Sequence, residues 1–265
     1  MSTKNQVLKG HRILITREYT ADYEALEEQG GELFVFPTLE AVGPEDYRSL
    51  DHSIRNLHAY DWLVFTSRNG VHFFFKRLLE SGGSVDALAG LAICVVGPGT
   101  ADALGHYGLK AALVPKRFSA EGLVDTFMPP GTGEENHLRG ISFLFPRAEG
   151  ARDTFPSKIR ELGGTIDAPI AYRTIIPRVR RDVRESVLTA GITVATFTSG
   201  STFTNLLDMV GPKALPFLSR VAVAVIGPVT RRTVEEAGLQ VSIMPPKATI
   251  KAMVDAIIDW AASDF

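Results

Sequence analysis

Six short segments, each following an apolar run, are dominated by Ser, Thr, Arg and Gly. They are TREYT from Thr16, TSRNG from Thr66, GPGTA from Gly97, PRAEGARD from Pro146, TSGST from Thr198 and GPVTR from Gly227. They contain no Cys or His and few carboxylates, so they are rich in hydrogen-bond donors and poor in bases. If helices begin there, free N–H groups and partial positive charge add to these donors. This chemistry predicts a cleft that binds a polyanion.

The candidate side chains also have structural interpretations. Hydroxyl residues at helix starts are common caps, and arginines at strand ends are often solvated charges. The candidates are Arg17, Ser67, Arg68, Thr100, Arg147, Arg152, Ser199, Gly200, Ser201 and Thr230. Tyr172 is as consistent with packing at a domain junction as with proton donation. Both interpretations stay open at the level of the residues.

Familiar cofactor motifs are absent from the sequence. GPG at 97–99 is not GxGxxG, there is no GxxxxGK[ST] segment, and the six His show no metal-ligand spacing. The single cysteine, Cys94, lies in an apolar run and excludes an internal disulfide. We therefore expect neither a metal nor an organic cofactor.

The elements that position these segments alternate between strand and helix. The apolar runs RILIT, DWLVFT, LAICVV, ISFLF, TVATFT and VAVAVI are typical of strands buried on both faces. The helical patterns ADYEALEEQGG, TADALGHYG and RRTVEEAG each end at glycine, which favours a left-handed C-terminal cap. This alternation predicts an α/β fold with parallel sheets flanked by helices.

The sequence repeats itself. WLVFTSRNGV from Trp62 matches TVATFTSGST from Thr193, with Ser67 opposite Ser199. ICVVGPGT from Ile93 matches VAVIGPVT from Val223, and a weaker match places Arg17 opposite Arg147. Two α/β lobes of similar construction follow from this repeat.

Two divisions into domains are consistent with the repeat. The polar segment 128–140 is a predicted loop and could be a linker between repeats. Alternatively, LEAVG from Leu39 and AYRTI from Ala171 each follow the second strand of a half and could carry the chain between domains.

Composition excludes several classes of protein. With 28 Lys+Arg, 30 Asp+Glu and a net charge of −2, the chain has no global basic surface for nucleic acid or an anionic membrane. The first dozen residues lack the apolar stretch of a signal peptide, and no segment reaches the roughly 20 apolar residues that span a bilayer. We expect a cytoplasmic protein.

An ordered set of short motifs resembles the uroporphyrinogen-III synthase family over nearly the whole chain. The motifs are ITR at 15–17, FTSRNGV from Phe65, VGPGTA from Val96, AEGL at 120–123, PRAEGARD from Pro146, AYRT from Ala171, FTSGS from Phe197, IGPVT from Ile226 and ATIKAMVDAI from Ala248. The resemblance implies two flavodoxin-like or Rossmann-like lobes joined by a two-stranded ladder. Lobe one would hold residues 1–38 and 173–265, and lobe two residues 39–172.

The resemblance also implies an activity and roles for residues. The activity is cofactor-free cyclisation of hydroxymethylbilane, a linear tetrapyrrole with eight carboxylate arms, to uroporphyrinogen III by a monomeric lyase. It implies hand-over of this substrate from hydroxymethylbilane synthase. Tyr172 matches the family tyrosine proposed to assist departure of the hydroxyl, and Ser67, Thr100, Ser199 and Thr230 match substrate-binding positions. Val229 replaces a second hydroxyl that some members carry.

The main alternative is a non-enzymatic, two-lobed sensor or small-anion-binding protein, because paired α/β lobes are common to both classes.

Overall fold

Two four-stranded parallel sheets organise the computed structural model of the chain, which describes residues 6–117, 120–127 and 137–263. The strands are β1 (Arg12–Ile15), β2 (Glu32–Val35), β3 (Glu40–Val42), β4 (Trp62–Phe65), β5 (Ala92–Val95), β6 (Ser142–Leu144), β7 (Arg147–Ala148), β8 (Thr165–Asp167), β9 (Ile170–Ile175), β10 (Val194–Phe197) and β11 (Ala222–Val225). The α-helices are α1 (Glu24–Glu28), α2 (Arg48–Arg55), α3 (Arg68–Glu80), α4 (Pro98–Gly105), α5 (Ala120–Thr126), α6 (Thr154–Glu161), α7 (Arg181–Thr189), α8 (Gly200–Val210), α9 (Ala214–Leu218), α10 (Pro228–Glu236) and α11 (Ile250–Ser263).

The two sheets have the same strand order once the repeat is applied. One sheet runs β11-β10-β1-β2 and the other β5-β4-β6-β8, with parallel pairing throughout. Thus β11, β10, β1 and β2 correspond to β5, β4, β6 and β8. All six apolar runs predicted as strands are strands, and the predicted α/β class is confirmed.

A small third sheet has the order β3-β9-β7. The resemblance implied a ladder of two strands, and the structure adds the two-residue strand β7 beside β9. Glu149 N–H, just after β7, donates to Tyr172 O at 2.8 Å. This third strand fixes the backbone of β9 around Tyr172.

The chain separates into two compact units. Unit 1 comprises residues 1–40 and 175–265, and unit 2 comprises residues 41–174. Each crossing lies two residues later than in the predicted lobes, so Leu39 and Glu40 fall in unit 1, and Arg173 and Thr174 fall in unit 2. The alternative linker at 128–140 lies largely outside the described residues.

Each large sheet is covered on both faces by apolar side chains. In β4, Leu63 and Phe65 belong to one core cluster and Val64 to another. In β1, Leu14 belongs to one cluster and Ile13 and Ile15 to another. This alternation explains why the strands read as continuous apolar runs.

Four long helices begin at equivalent corners. Two residues separate β4 from α3, β5 from α4, β10 from α8 and β11 from α10. The corners after β1 and β6 are different, because a short 3₁₀ turn leads into the five-residue α1 and β7 precedes α6. Four of the six polar segments therefore lie at a helix start that directly follows a strand.

Glycine ends the repeat-related helices α4 and α10 as predicted. Gly108 and Gly238 have φ of 73° and 84°, the left-handed conformation that side chains disfavour. The segments after these turns form isolated parallel bridges with the preceding strands, Leu113 with Cys94 and Ile243 with Ala224.

Candidate functional site

The start of α3 is built around the Ser67 hydroxyl. Ser67 is the N-cap of α3, and its Oγ accepts a hydrogen bond from Gly70 N–H at 3.0 Å. A Cβ at Gly70 would lie 3.3 Å from Pro146 O, so glycine lets this first turn approach the corner after β6 closely. The sequence motif thus serves capping and close packing.

Tyr172 meets this capping residue. Its hydroxyl lies 3.1 Å from Ser67 Oγ, and either group can be the donor. Only 9% of Tyr172 is exposed. The ring stacks on Phe73 of α3, with centroids 5.7 Å apart and planes 14° from parallel. A phenol held at its face and its tip, beside a helix N-terminus, is suited to directed proton donation.

Arg68 and Thr100 belong to neighbouring corners of unit 2. Arg68 is exposed, and its side chain makes no hydrogen bond or ion pair with the described residues. A Cβ at Gly99 would lie 3.6 Å from Arg68 Cδ, so the arginine lies against the first turn of α4, where Thr100 is buried. An arginine without a carboxylate partner can bind an anion.

Arg147 is engaged within its own loop. Its Nη1 donates to Asp153 Oδ1 at 3.0 Å and to Ala151 O at 3.4 Å, and its side chain is 21% exposed. The Nε atom is buried and has no hydrogen-bond partner in the described structure. Asp153 therefore balances much of the charge that the sequence made a candidate for substrate binding. Arg152, in the same loop, is exposed.

The equivalent serine in unit 1 has different neighbours. Ser199 caps α8 by accepting from Thr202 N–H at 3.2 Å, and Thr202 Oγ1 in turn accepts from Ser199 N–H. Ser199 Oγ lies 2.9 Å from the hydroxyl of the exposed Ser201. A Cβ at Gly200 would lie 2.8 Å from Thr233 Oγ1, so α8 and α10 approach closely at glycine. This corner presents hydroxyls and backbone N–H groups.

The other unit 1 candidates surround this corner. Arg17 is exposed two residues after the end of β1, and Thr230 is buried in the first turn of α10. Next to Thr230, Val229 is 82% exposed. Burial raises the pKa of Tyr23, and the positive charge of Arg17 opposes that shift.

Two neighbours of the site were missed from the sequence. Phe73 lies in the run of phenylalanines 73–75, which reads as core, and only its contact with Tyr172 distinguishes it. Thr198 Oγ1 is buried without a hydrogen-bond partner among the described residues. The sequence feature that could have identified Thr198 is its place in TSGST, directly before the Ser199 cap.

Groups typical of metal or nucleophilic catalysis do not gather at these corners. Within residues 6–117, 120–127 and 137–263, no group of three or more His, Cys, Asp or Glu could hold a metal ion. Cys94 is fully buried in the core, and this burial raises the pKa of its thiol to about 12. No helix in the described part of the chain is long and apolar enough to cross a membrane.

Two depressions of unit 2 lie apart from the candidate residues. One, of about 500 Å³, includes His52 and Asp167 in its lining, and the other, of about 360 Å³, is lined by residues including His72 and His106. Beside the first, burial and the hydrogen bond to Asp167 raise the pKa of Tyr60 to about 12.

A family model and a relative of similar length name the same family. The family model described as uroporphyrinogen-III synthase HemD matches residues 21–255. The uroporphyrinogen-III synthase of Synechococcus elongatus is 31% identical over 265 aligned positions, covering 97% of both chains.

Solved structures support the fold. The uroporphyrinogen-III synthetase of Helicobacter pylori superposes with a TM-score of 0.62 at 15% identity, covering 94% of this chain and 98% of that one. A mutant uroporphyrinogen III synthase of Thermus thermophilus gives a TM-score of 0.56 at 16% identity, covering 96% and 100%. With this fold and the family match over most of its length, the chain belongs to the uroporphyrinogen-III synthase family.

Proposed function

We propose that this chain is a lyase that converts hydroxymethylbilane into uroporphyrinogen III. The observation that carries the proposal is the family match over residues 21–255. The positions of side chains at the strand ends support the roles that we propose for individual residues.

Substrate binding uses the donors at the strand ends. Eight carboxylate arms need many donors, and the helix starts supply backbone N–H groups with partial positive charge. Arg17 and Arg68 are exposed and have no ion-pair partner in the described part of the chain, so their charges are available to the substrate. The proposed substrate-binding residues are Arg17, Ser67, Arg68, Thr100, Arg147, Ser199, Gly200, Ser201 and Thr230.

Tyr172 is the proposed general acid. Its O–H bond breaks as the proton passes to the terminal hydroxyl of the substrate, whose C–O bond breaks to release water. The remaining pyrrole becomes an azafulvene cation, and Tyr172 becomes a phenolate. Ser67 uses one lone pair for Gly70 N–H, so its own proton is free to donate to Tyr172 Oη and stabilise that phenolate.

Ring closure releases the proton that balances the one donated by Tyr172. The azafulvene carbon is attacked by the substituted carbon of the far pyrrole, which gives a spiro centre that reopens and closes with the last ring inverted. The pyrrole carbon that finally forms the new bond loses its proton, which balances the proton given by Tyr172. The net change is loss of one water and formation of one C–C bond. The protein's main task is orientation of a flexible chain, with no metal or organic cofactor.

We further propose that the protein acts as a monomer in the cytoplasm and receives hydroxymethylbilane from its synthase. The support for hand-over is the same family resemblance.

The test is a product assay. Purified protein, dialysed against a chelator and given freshly made hydroxymethylbilane without nucleotide or flavin, is expected to form the type III isomer in large excess over type I. Binding of the substrate with only type I product would instead indicate the non-enzymatic anion-binding alternative. Loss of activity restored by added zinc or magnesium would contradict the cofactor-free mechanism.

A further inference from the structure

Three contacts restrain Tyr172, and one of them comes from Phe73, a side chain that has no role in the proposed mechanism. The backbone is paired in the small sheet, where Glu149 N–H donates to Tyr172 O at 2.8 Å. The hydroxyl meets Ser67 Oγ at 3.1 Å. The ring face is covered by Phe73, with centroids 5.7 Å apart and planes 14° from parallel.

These restraints act on different torsions. A hydrogen bond at the phenol tip leaves the ring free to rotate about its long axis, and a paired backbone leaves both side-chain torsions free. An offset stack resists both movements, because tilting the ring loses contact area and drives it into its neighbour. Phe73 and Tyr172 are each 9% exposed, so they form the outer edge of a packed cluster and not an isolated surface pair.

The repeat shows that the stack is not a requirement of the fold. Aligning Ser67 with Ser199 places Asn205 opposite Phe73, and the Asn205 side-chain amide donates to Thr38 O at 3.0 Å. The same turn of the equivalent helix is therefore filled by a polar residue that bonds to backbone. An aromatic residue therefore occupies this turn in the unit that contains Tyr172, and a polar residue occupies it in the other unit.

We propose that Phe73 is a positioning residue for Tyr172, fixing the plane of its phenol so that the hydroxyl proton is directed at the leaving group. The inference rests on the proposed function, because it assumes that Tyr172 is the general acid. Phe73 itself touches neither the proton nor the substrate in this role. Its replacement should therefore change catalysis through Tyr172 only.

The first test uses Phe73→Leu with a matched control. We expect kcat to fall about tenfold with little change in KM, because orientation of the acid is lost while binding groups remain. The control is Phe74→Leu, the same substitution at a fully buried neighbour that packs on Phe65 and Phe75. A Phe74→Leu enzyme should lose stability but keep kcat within about twofold. Equal losses of kcat in the two variants would overturn the proposal, since both would then act through general packing.

The second test is a double-mutant cycle. In a Tyr172→Phe background, Phe73→Leu should have no further effect on kcat, because the group it positions is gone. An undiminished tenfold effect in that background would overturn the proposal. A Tyr172→Phe enzyme as fast as the parent would overturn it too, together with the acid role, whereas a parent forming no type III product would remove the proposed function itself.

A third readout needs no activity. In the NMR spectrum of tyrosine-labelled protein, the ring signals that disappear in Tyr172→Phe belong to Tyr172. Ring currents from the stacked Phe73 should shift these signals upfield. Phe73→Leu should remove that shift and broaden the signals, while Phe74→Leu should leave them in place. Unchanged Tyr172 signals in Phe73→Leu would show that the stack does not hold the ring, whatever the assay gives.

Discussion

The two repeat-related serine corners share a backbone but carry different chemistry. In unit 2, Ser67 caps α3 and meets Tyr172 at 3.1 Å. In unit 1, Ser199 caps α8 and meets Ser201 at 2.9 Å. The residue after each serine is Arg68 in unit 2 and Gly200 in unit 1.

From this difference we propose separate roles for two copies of one structural motif. Capping is common to both, because each helix start needs an acceptor for its free N–H groups. Beyond that, unit 2 adds a phenol and an unpaired guanidinium, whereas unit 1 offers hydroxyls and backbone N–H groups. We therefore propose that unit 2 donates the proton and that both units bind substrate.

The largest effect is expected from the phenol. Tyr172→Phe should lower kcat about a hundredfold, the usual scale of a lost general acid, while the loss of one hydrogen bond lowers the melting temperature by only a few degrees. Its matched control is Tyr107→Phe, a tyrosine of the same unit that stacks on Phe75. Steady-state assays of both variants check this, and an unchanged kcat in Tyr172→Phe would leave Tyr172 a packing residue.

A smaller effect, on substrate binding, is expected from Arg68, whose equivalent position in unit 1 is Gly200. Arg68→Gln should raise KM about tenfold and leave kcat nearly unchanged, because a charge-assisted contact to a carboxylate is lost. The control is Lys76→Gln on the same helix, where the lysine pairs with Glu80. Measured KM should rise with added salt in the parent and less steeply in Arg68→Gln. Similar KM values for both variants would remove Arg68 from the binding site.

Val229 allows helix stability and substrate binding to be separated in unit 1. Val229→Asp places a negative charge in the first turn of α10, which should stabilise the helix slightly yet raise KM a few-fold by repelling the substrate. Val229→Asn is the neutral control. If Asp and Asn variants had the same KM, substrate carboxylates would not approach this helix start.

The smallest effect concerns stability at low pH. On α3, Arg77 bonds twice to Asp51 and lies over the Tyr47 ring, whereas the equivalent residue of α8 is the apolar Met209. The hydrogen bonds from Arg77 lower the pKa of Asp51. Because the folded pKa lies below the ordinary value of about 3.9, this pair stabilises the protein above that pH and loses its effect as pH falls through the folded pKa.

Asp51→Asn should therefore cost about 1 kcal/mol at pH 7 and progressively less below about pH 4. Urea unfolding at both pH values measures the difference. The matched control is Asp102→Asn, at an exposed position of α4. A deficit that stayed constant with pH would mean that the ion pair is not its cause.

Local features were predictable from the sequence because they depend on neighbours in the chain. The strand runs, the helix starts at Ser67 and Ser199 and the glycine turns at Gly108 and Gly238 all follow from periodicity and backbone conformation. The parallel class followed from alternation of strand and helix.

Features made by distant residues were not predictable. The Ser67–Tyr172 hydrogen bond and the Phe73–Tyr172 stack join segments that no local pattern connects. β7 has two residues, too short for any periodicity. The ion pair of Arg147 with Asp153 is local, but PRAEGARD alone does not reveal whether the arginine faces its own loop or a ligand.

The repeat-related serines provide the most direct test of the division between the units. Glycine is a tolerable N-cap, so Ser67→Gly and Ser199→Gly each remove a hydroxyl at a similar, small cost in helix stability. The measurement is kcat and KM of both variants for hydroxymethylbilane, followed as type III product. We predict that Ser67→Gly lowers kcat about tenfold, because the partner of the Tyr172 phenolate is lost, and raises KM a few-fold, because a substrate-binding hydroxyl is lost with it. We predict that Ser199→Gly also raises KM but leaves kcat within about twofold. The same change in kcat for both serines would contradict the assignment of proton donation to unit 2.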